Sequence, residues 1–186
     1  MIDVQPPHID DWLAWASVNG VLPVVQAYLK MNPRRLHEYD ATRFVNPTPR
    51  QWEQVSDLLK QDIPAGIRMP LTAGLVGPVA SELEAIMKLT SDVPTYEDII
   101  TNPETAAIPD TDKLAAAYFV VMMLAQRITV TDSESAAIYV SRLQKDMQVM
   151  FVSLVSSNKP DINQYLWMRS PAYKEAAKHV VRARGI

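Results

Sequence analysis

The sequence lacks cysteine altogether among its 186 residues, so disulfide cross-links and thiolate metal sites are excluded. It holds only five glycines, and no glycine-rich loop that cradles nucleotide phosphates can be found in it. No apolar run approaches the ~20 residues that a membrane span needs. The N-terminal stretch carries acids, prolines and tryptophans where a signal peptide has a basic start and an apolar segment. We therefore expect a soluble, cytoplasmic protein.

A large excess of either charge is also absent. Eighteen basic residues stand against 21 acidic ones, which gives a formal net charge of −3. This balance argues against nucleic acid as a partner, because a broad basic surface is missing. The C-terminal tail is a local exception, since five basic residues face the single acid Glu175 there: Arg169, Lys174, Lys178, Arg182 and Arg184.

What the sequence does contain is a regular succession of short helical patterns. Fourteen prolines fall almost entirely between segments whose apolar residues recur at helical spacing, and this predicts short helices with proline in their first turns. Capping patterns mark further starts at Thr95 and at Thr131-Asp132-Ser133-Glu134. We expect an all-α bundle of about eight to ten short helices, divided into residues 1–92 and 93–186.

We find few residues in the sequence that could form a complete active site within this chain. The three histidines, His8, His37 and His179, are scattered and form no pair at the spacing of a helical metal site. The carboxylate pairs lie on faces expected to be solvated or at helix starts, where acids are favoured anyway. We expect no metal site, and the nine methionines are most simply explained as core residues.

The clearest helix start lies at Thr48-Pro49-Arg50-Gln51. Thr48 caps the helix, Pro49 takes its first position and Gln51 completes a capping box. Arg50 follows at a position where the helix dipole disfavours a cation by roughly 0.3–1 kcal/mol. Free N–H groups of a first turn bind anions, and a guanidinium adds a planar fork for phosphate. The pattern predicts a site for one terminal phosphate.

Arg50 also has a purely structural interpretation. Its side chain could stack on Trp52 or Tyr39, or pair with Glu53, without any ligand. One arginine is weak evidence by itself, and both interpretations stay open at this point.

The stretch that carries this helix start, residues 43–56, resembles the lid region of MoxR-type AAA+ ATPases, most closely over Pro47 to Ser56. In that family a small residue followed by Pro-Arg opens a lid helix. The arginine, called sensor 2, reaches the γ-phosphate of ATP bound by the preceding α/β core. The order of the surrounding segments matches as well: residues 9–16, 23–29 and 74–77. The resemblance spans most of residues 8–110 and is weak after about 130.

The resemblance implies only part of such an ATPase. A P-loop, an acidic strand end for Mg²⁺, a sensor 1 residue and an arginine finger are all missing from the sequence. It thus implies the lid over residues 1–92 and a helical C-terminal extension over 93–186, with ATP and Mg²⁺ bound only in the presence of the core and no cofactor for this chain alone. Arg50 is the implied catalytic contact, and Arg50, Pro49 and Thr48 are the implied cofactor contacts. The implied partners are the core, neighbouring subunits and a protein client.

Two other functions remain open. A helical adaptor could bind a protein partner through an apolar groove, with Trp12, Trp15 and Trp167 as anchors. Exposure of Trp12 and Trp15 as one patch, together with an intramolecular salt bridge at Arg50, would favour that function. Nucleic-acid binding by the basic tail is the third alternative, and it has only Tyr173 as an aromatic partner.

Overall fold

The chain consists of two compact helical units. The computed structural model describes residues 7–90 and 93–183, and its internal contacts divide the chain into Met1–Ser91 (unit 1) and Asp92–Ile186 (unit 2). Throughout the described ranges all regular secondary structure is helical, so the prediction of an all-α bundle is confirmed. None of these helices is long and apolar enough to cross a membrane.

Unit 1 is built from five α-helices and two short 3-10 helices within its described part. They are α1 (Ile9–Val18), α2 (Pro23–Met31), a 3-10 helix (Pro33–Leu36), α3 (Pro49–Leu59), α4 (Ala65–Val76), a second 3-10 helix (Gly77–Val79) and α5 (Ala80–Leu89). Proline occupies the first turn of α2 and α3, as its fixed φ favours. The apolar run after residue 65 breaks at Gly77-Pro78, because proline cannot donate a helical hydrogen bond.

The core of unit 1 is centred on Trp52 of α3. This side chain is fully buried, and its ring lies 5.3 Å from that of Tyr28 on α2. Its indole N–H donates to the carbonyl oxygen of Arg35 at 2.8 Å. Helix α3 packs on α4 and α2, and α2 packs on α5. Trp52 therefore ties the start of α3 to the 3-10 helix that follows α2.

Unit 2 contains six α-helices in the residues that the structure describes. They are α6 (Tyr96–Thr101), α7 (Leu114–Arg127), α8 (Ser133–Ser141), α9 (Lys145–Asn158), α10 (Pro160–Arg169) and α11 (Pro171–Ala183). Helix α9 contacts α7, α10 and α11. Eight residues of α7 are buried, in agreement with apolar residues that nearly encircle this helix.

Gly77 is a position in unit 1 where glycine is required by both its backbone conformation and its surroundings. Its φ is +68°, and a Cβ atom on it would lie 2.9 Å from the carbonyl oxygen of Val45. Gly77→Ala is expected to lower the free energy of unfolding by about 1–3 kcal/mol, because alanine is strained at this φ and its methyl group meets a backbone atom. Gly74→Ala is the matched control.

Gly74 lies within α4 and has open space around its Cβ position. Alanine there should raise the free energy of unfolding by up to about 1 kcal/mol through helix propensity. Urea unfolding followed by circular dichroism measures both variants. Equal effects of the two substitutions would contradict the special backbone geometry of Gly77.

Candidate functional site

The start of α3 has the cap that the sequence predicts. Thr48 adopts an extended backbone and its Oγ1 accepts the N–H of Gln51 at 3.3 Å. The Thr48 hydroxyl in turn donates to Gln51 Oε1 at 2.8 Å. This hydroxyl takes the place of the Thr48 backbone N–H as the partner of the Gln51 side chain, so the predicted capping box is only half formed in the described chain.

The expected set of free N–H groups at this helix start is smaller than the sequence suggests. Pro49 has no N–H group, that of Gln51 is taken by Thr48, and that of Trp52 donates to the Thr48 carbonyl oxygen. Of the first-turn residues within the helix, Arg50 has an N–H group without a partner among the described residues. Pro49 offers no donor and the Thr48 hydroxyl is engaged with Gln51, so anion binding here depends on Arg50.

Arg50 is exposed and its side chain contacts no carboxylate in the described parts of the chain. It makes no ion pair with Glu53, and no cation–π contact with Trp52 or Tyr39 is present in this part of the structure. The ion pair with Glu53 considered from the sequence is therefore not formed in the described chain. Its guanidinium is left facing solvent at the positive end of a helix dipole.

Most of the other arginines of unit 1 are paired, in contrast to Arg50. Three of the five are paired with carboxylates: Arg35 with Glu38 and Glu82, Arg43 with Glu38 and Asp40, and Arg68 with Glu84. Within the described part of unit 1, only Arg34 and Arg50 have no such partner. Arg50 is thus available to an anion from outside the chain.

The ion pairs fix the segment that borders the helix start. Arg35 binds Glu82 at 2.8 Å, and the hydrogen bond from Arg35 lowers the pKa of Glu38. The N–H of Glu38 donates to the carbonyl oxygen of Pro47 at 3.2 Å. Burial and the hydrogen bond to Glu82 raise the pKa of Tyr28 above its ordinary value. This network holds the residues just before Thr48 in place.

The three tryptophans predicted as anchors differ in their exposure. Trp12 is buried, with 5% of its surface exposed, whereas Trp15 is 41% exposed and Trp167 is 51% exposed. The prediction of Trp12 as an anchor is therefore wrong, because this residue faces the core of unit 1. Trp15 alone of the α1 pair is accessible to a partner.

The structure describes the side chains of two of the three histidines. His8 caps α1, with its Nδ1 accepting the N–H of Asp10 at 3.3 Å, and His37 is exposed. The side chain of His179 lies outside the described residues. Over the described ranges, no cluster of three His, Cys, Asp or Glu residues could hold a metal ion.

Three of the basic side chains of the tail make contacts within the chain, one of them with an acid. Arg169 lies over the ring of Tyr165 at 5.5 Å, and Lys178 pairs with Glu175 at 2.7 Å. Lys174 donates to the carbonyl oxygen of Met168 at 3.2 Å. The side chain of Arg182 and all of Arg184 lie outside the described residues.

Comparison of the chain with family models, with curated proteins and with solved structures finds no match. The chemistry of the site is therefore argued from its own residues. An exposed, unpaired guanidinium beside one free N–H at a helix start can hold a phosphate oxygen or a carboxylate.

Proposed function

We propose that this chain is the C-terminal lid region, with a helical extension, of a cytoplasmic MoxR-type AAA+ ATPase. The proposal rests on the resemblance of residues 43–56 to the lid of that family and on one structural observation. Arg50, at the position of the sensor 2 arginine, is exposed and unpaired, whereas three other arginines of unit 1 are bound to carboxylates.

In this function, Arg50 supplies a charge contact to chemistry that the ATPase core performs. ATP and Mg²⁺ are bound by the core, and the Arg50 guanidinium neutralises charge that develops on the γ-phosphate. Positioned charge is most of what phosphoryl transfer requires of a protein. Thr48 and Pro49 set the direction of the helix start from which Arg50 extends.

The same contact would sense the nucleotide. It is available with ATP and lost after hydrolysis, so it favours one position of the lid relative to the core in the ATP state only. Unit 2, as the helical extension, would pass this movement to a neighbouring subunit or to a protein client. The ordered cap at Thr48 supports this role, because a sensor must keep its position when the ligand is absent.

An adaptor function is the second candidate, and one observation favours it. Trp167 and the adjacent Met168 are both exposed at the end of α10, and exposed tryptophans are common anchors in protein interfaces. Two other observations favour the ATPase lid instead: Trp12 is buried, and Arg50 is free of the salt bridge that the adaptor function predicts.

The ATPase lid function predicts weak nucleotide binding by the chain alone. One arginine and one N–H group cannot offset the cost of ordering a tetra-anion, so isothermal titration calorimetry should give a dissociation constant for ATP of about 1 mM or weaker. Joining the chain to a P-loop core should give binding that is much tighter. Micromolar ATP binding by the isolated chain would contradict the proposal, because it would require a complete site within these residues.

A further inference from the structure

Unit 2 contains a small, mostly enclosed cavity beside the start of α7. It has a volume of about 60 Å³ and lies between the loop before α7, the first turns of α7 and the junction of α8 and α9. Its apolar lining residues are Ile108, Pro109, Leu114, Ala117, Leu143 and Met147. Buried water needs about two to four polar partners, so walls of this kind favour an apolar group over water.

The volume of the cavity limits the size of that group. A water molecule occupies about 30 Å³ in the liquid, and an apolar cavity of about 150 Å³ accommodates benzene. A cavity of about 60 Å³ is too small for an aromatic ring and suits a branched aliphatic group of about three or four carbon atoms. Cofactors and drug-sized ligands need pockets of about 300–1,000 Å³, so they do not fit.

The cavity is preformed, because side chains at the junction of α8 and α9 hold the loop that forms one wall. Nη1 of Arg142 donates to the carbonyl oxygens of Pro103 at 2.8 Å and Ala106 at 2.9 Å. Nε2 of Gln144 donates to the carbonyl oxygen of Thr111 at 3.3 Å. A site held in place in this way loses little conformational entropy when a ligand binds.

Arg142 gives the cavity a cation with unused hydrogen-bond donors. It lines the cavity, and it forms no ion pair with a carboxylate in the part of the chain that the structure describes. Its Nη1 atom is occupied by the two loop carbonyl oxygens, whereas Nε and Nη2 have no partner among the described residues. These two nitrogens form one edge of the guanidinium plane, and such an edge can hold a carboxylate through two parallel hydrogen bonds.

One carboxylate also lines the cavity, that of Asp110. Its Oδ2 atom pairs with Nζ of Lys113 at 3.0 Å, and both residues are exposed, so solvent screens this balanced pair. Arg142 is only partly exposed and its charge is screened less. The electrostatics of the cavity therefore favour an anionic ligand.

We propose that this cavity binds a short branched aliphatic carboxylate, with the alkyl group between the apolar walls and the carboxylate on Nε and Nη2 of Arg142. Free carboxylic acids of about four or five carbon atoms have this chemistry, and so does the C-terminus of a peptide that ends in a small aliphatic residue. The inference concerns residues of unit 2 only, so it does not depend on Arg50 or on the proposed contact with ATP.

Other ligands use only part of the cavity. A neutral apolar molecule leaves the free donors of Arg142 without a partner, and an inorganic anion leaves the apolar walls uncovered. A fatty acid with a long chain exceeds the volume. A branched aliphatic carboxylate alone among these uses both the walls and the guanidinium.

The test is a titration of the isotope-labelled full chain with isovalerate, followed by two-dimensional NMR. We expect saturable shifts of the backbone signals of Leu114, Ala117, Leu143 and Met147, with a dissociation constant of about 1 mM, a value within the limit that ligand size sets. Isovaleramide has nearly the same shape without the charge. It should bind about tenfold more weakly or worse, because the hydrogen bonds from Arg142 no longer reach a charged acceptor.

Acetate retains the charge but lacks the branched alkyl group, and it should also bind about tenfold more weakly or worse. Arg142 is left unchanged in these titrations, because its substitution would also release the loop. A tetrapeptide ending in valine, compared with its C-terminal amide, distinguishes the two sources of the ligand. Tighter binding of the free-acid peptide than of isovalerate would assign the site to a peptide C-terminus, and weaker binding would assign it to a free acid.

Ala117→Leu fills the cavity from the side of α7 and should weaken isovalerate binding by about tenfold or more. Ala172→Leu is the matched control, because Ala172 is a partly buried alanine of α11 outside the cavity lining, and it should leave binding unchanged. The comparison of isovalerate with its amide needs no substitution, so it tests the inference even where Ala117→Leu lowers stability. No saturable shift in the millimolar range, shifts only outside the cavity, equal binding of isovaleramide, or unchanged binding by a folded Ala117→Leu variant would each overturn the inference.

Discussion

The proposed lid function predicts that replacement of Arg50 by alanine in the complete ATPase lowers ATP turnover by about 100-fold or more, the effect that is common when one charge-stabilising group is lost. The physical reason is the loss of a positive charge at the γ-phosphate, where negative charge develops during transfer. Steady-state hydrolysis at saturating ATP measures this effect. Lys60→Ala is the matched control, because Lys60 is an exposed cation that follows the opposite end of the same helix.

The fold should survive this substitution. Arg50 is exposed and unpaired in the described chain, and a cation at this helix position opposes the helix dipole. The unfolding midpoint of Arg50→Ala should therefore equal that of the wild type or lie slightly above it. Unchanged turnover would remove the sensor role of Arg50. A lowered unfolding midpoint would show that the side chain has a structural contact that the present account omits.

Trp52→Ala is expected to have the largest effect on stability, lowering the free energy of unfolding by about 3–5 kcal/mol. The indole is fully buried against Tyr28, and alanine leaves a cavity in its place. The carbonyl oxygen of Arg35 also loses its partner. Chemical denaturation of the full chain measures the loss, and the Arg35–Glu38 segment should become more open to proteolysis.

Two variants separate the contributions of Trp52. Trp52→Phe keeps most of the ring volume but removes the hydrogen bond to Arg35, so its cost should be smaller, about 1–3 kcal/mol. Trp167→Ala changes a half-exposed tryptophan of unit 2 and should cost less than about 1 kcal/mol. Similar losses for Trp52→Ala and Trp167→Ala would contradict the central position of Trp52 in the core of unit 1.

Helix starts and breaks could be predicted where the signal is local. Thr48 and Thr95 cap their helices as expected, and Thr95 forms the complete capping box with Asp98. The break at Gly77-Pro78 was also predictable, since proline and a glycine at positive φ act on their own backbone. Such signals depend on a few neighbouring residues, so the sequence contains all the information that they require.

A local signal failed where a capping pattern competed with a contact between residues that are distant in the sequence. The pattern Thr131-Asp132-Ser133-Glu134 predicts a capping box at Thr131, but α8 begins at Ser133 and no side chain caps it. The Asp132 carboxylate instead accepts the N–H of Thr129 at 2.6 Å and the hydroxyl of Tyr96 at 2.6 Å. Tyr96 is 36 residues away along the chain, and no local pattern indicates that contact.

In the candidate site as well, features that depend on neighbouring residues could be predicted, and features that depend on distant contacts could not. Arg50 could be singled out because its position conflicts with the helix dipole. Arg34 could not, since it is adjacent to Arg35 and only the fold places Glu82 beside one of them. Trp12 and Trp15 share the spacing of one helix face, and only the packing of α1 on α2 decides that Trp12 is buried. Likewise, no periodicity reveals the hydrogen bonds around Asp40 that hold the loop before Thr48.

The ratio of the dissociation constants for ADP and a non-hydrolysable ATP analogue tests the central claim most directly, because the two nucleotides differ in the group that Arg50 is proposed to bind. Measured on the complete ATPase, the ratio should favour the ATP analogue in the wild type by about tenfold or more, the value of one charge-assisted contact. In Arg50→Ala it should fall close to one, with little change in the affinity for ADP. An identical ratio in both proteins would contradict a contact between Arg50 and the γ-phosphate.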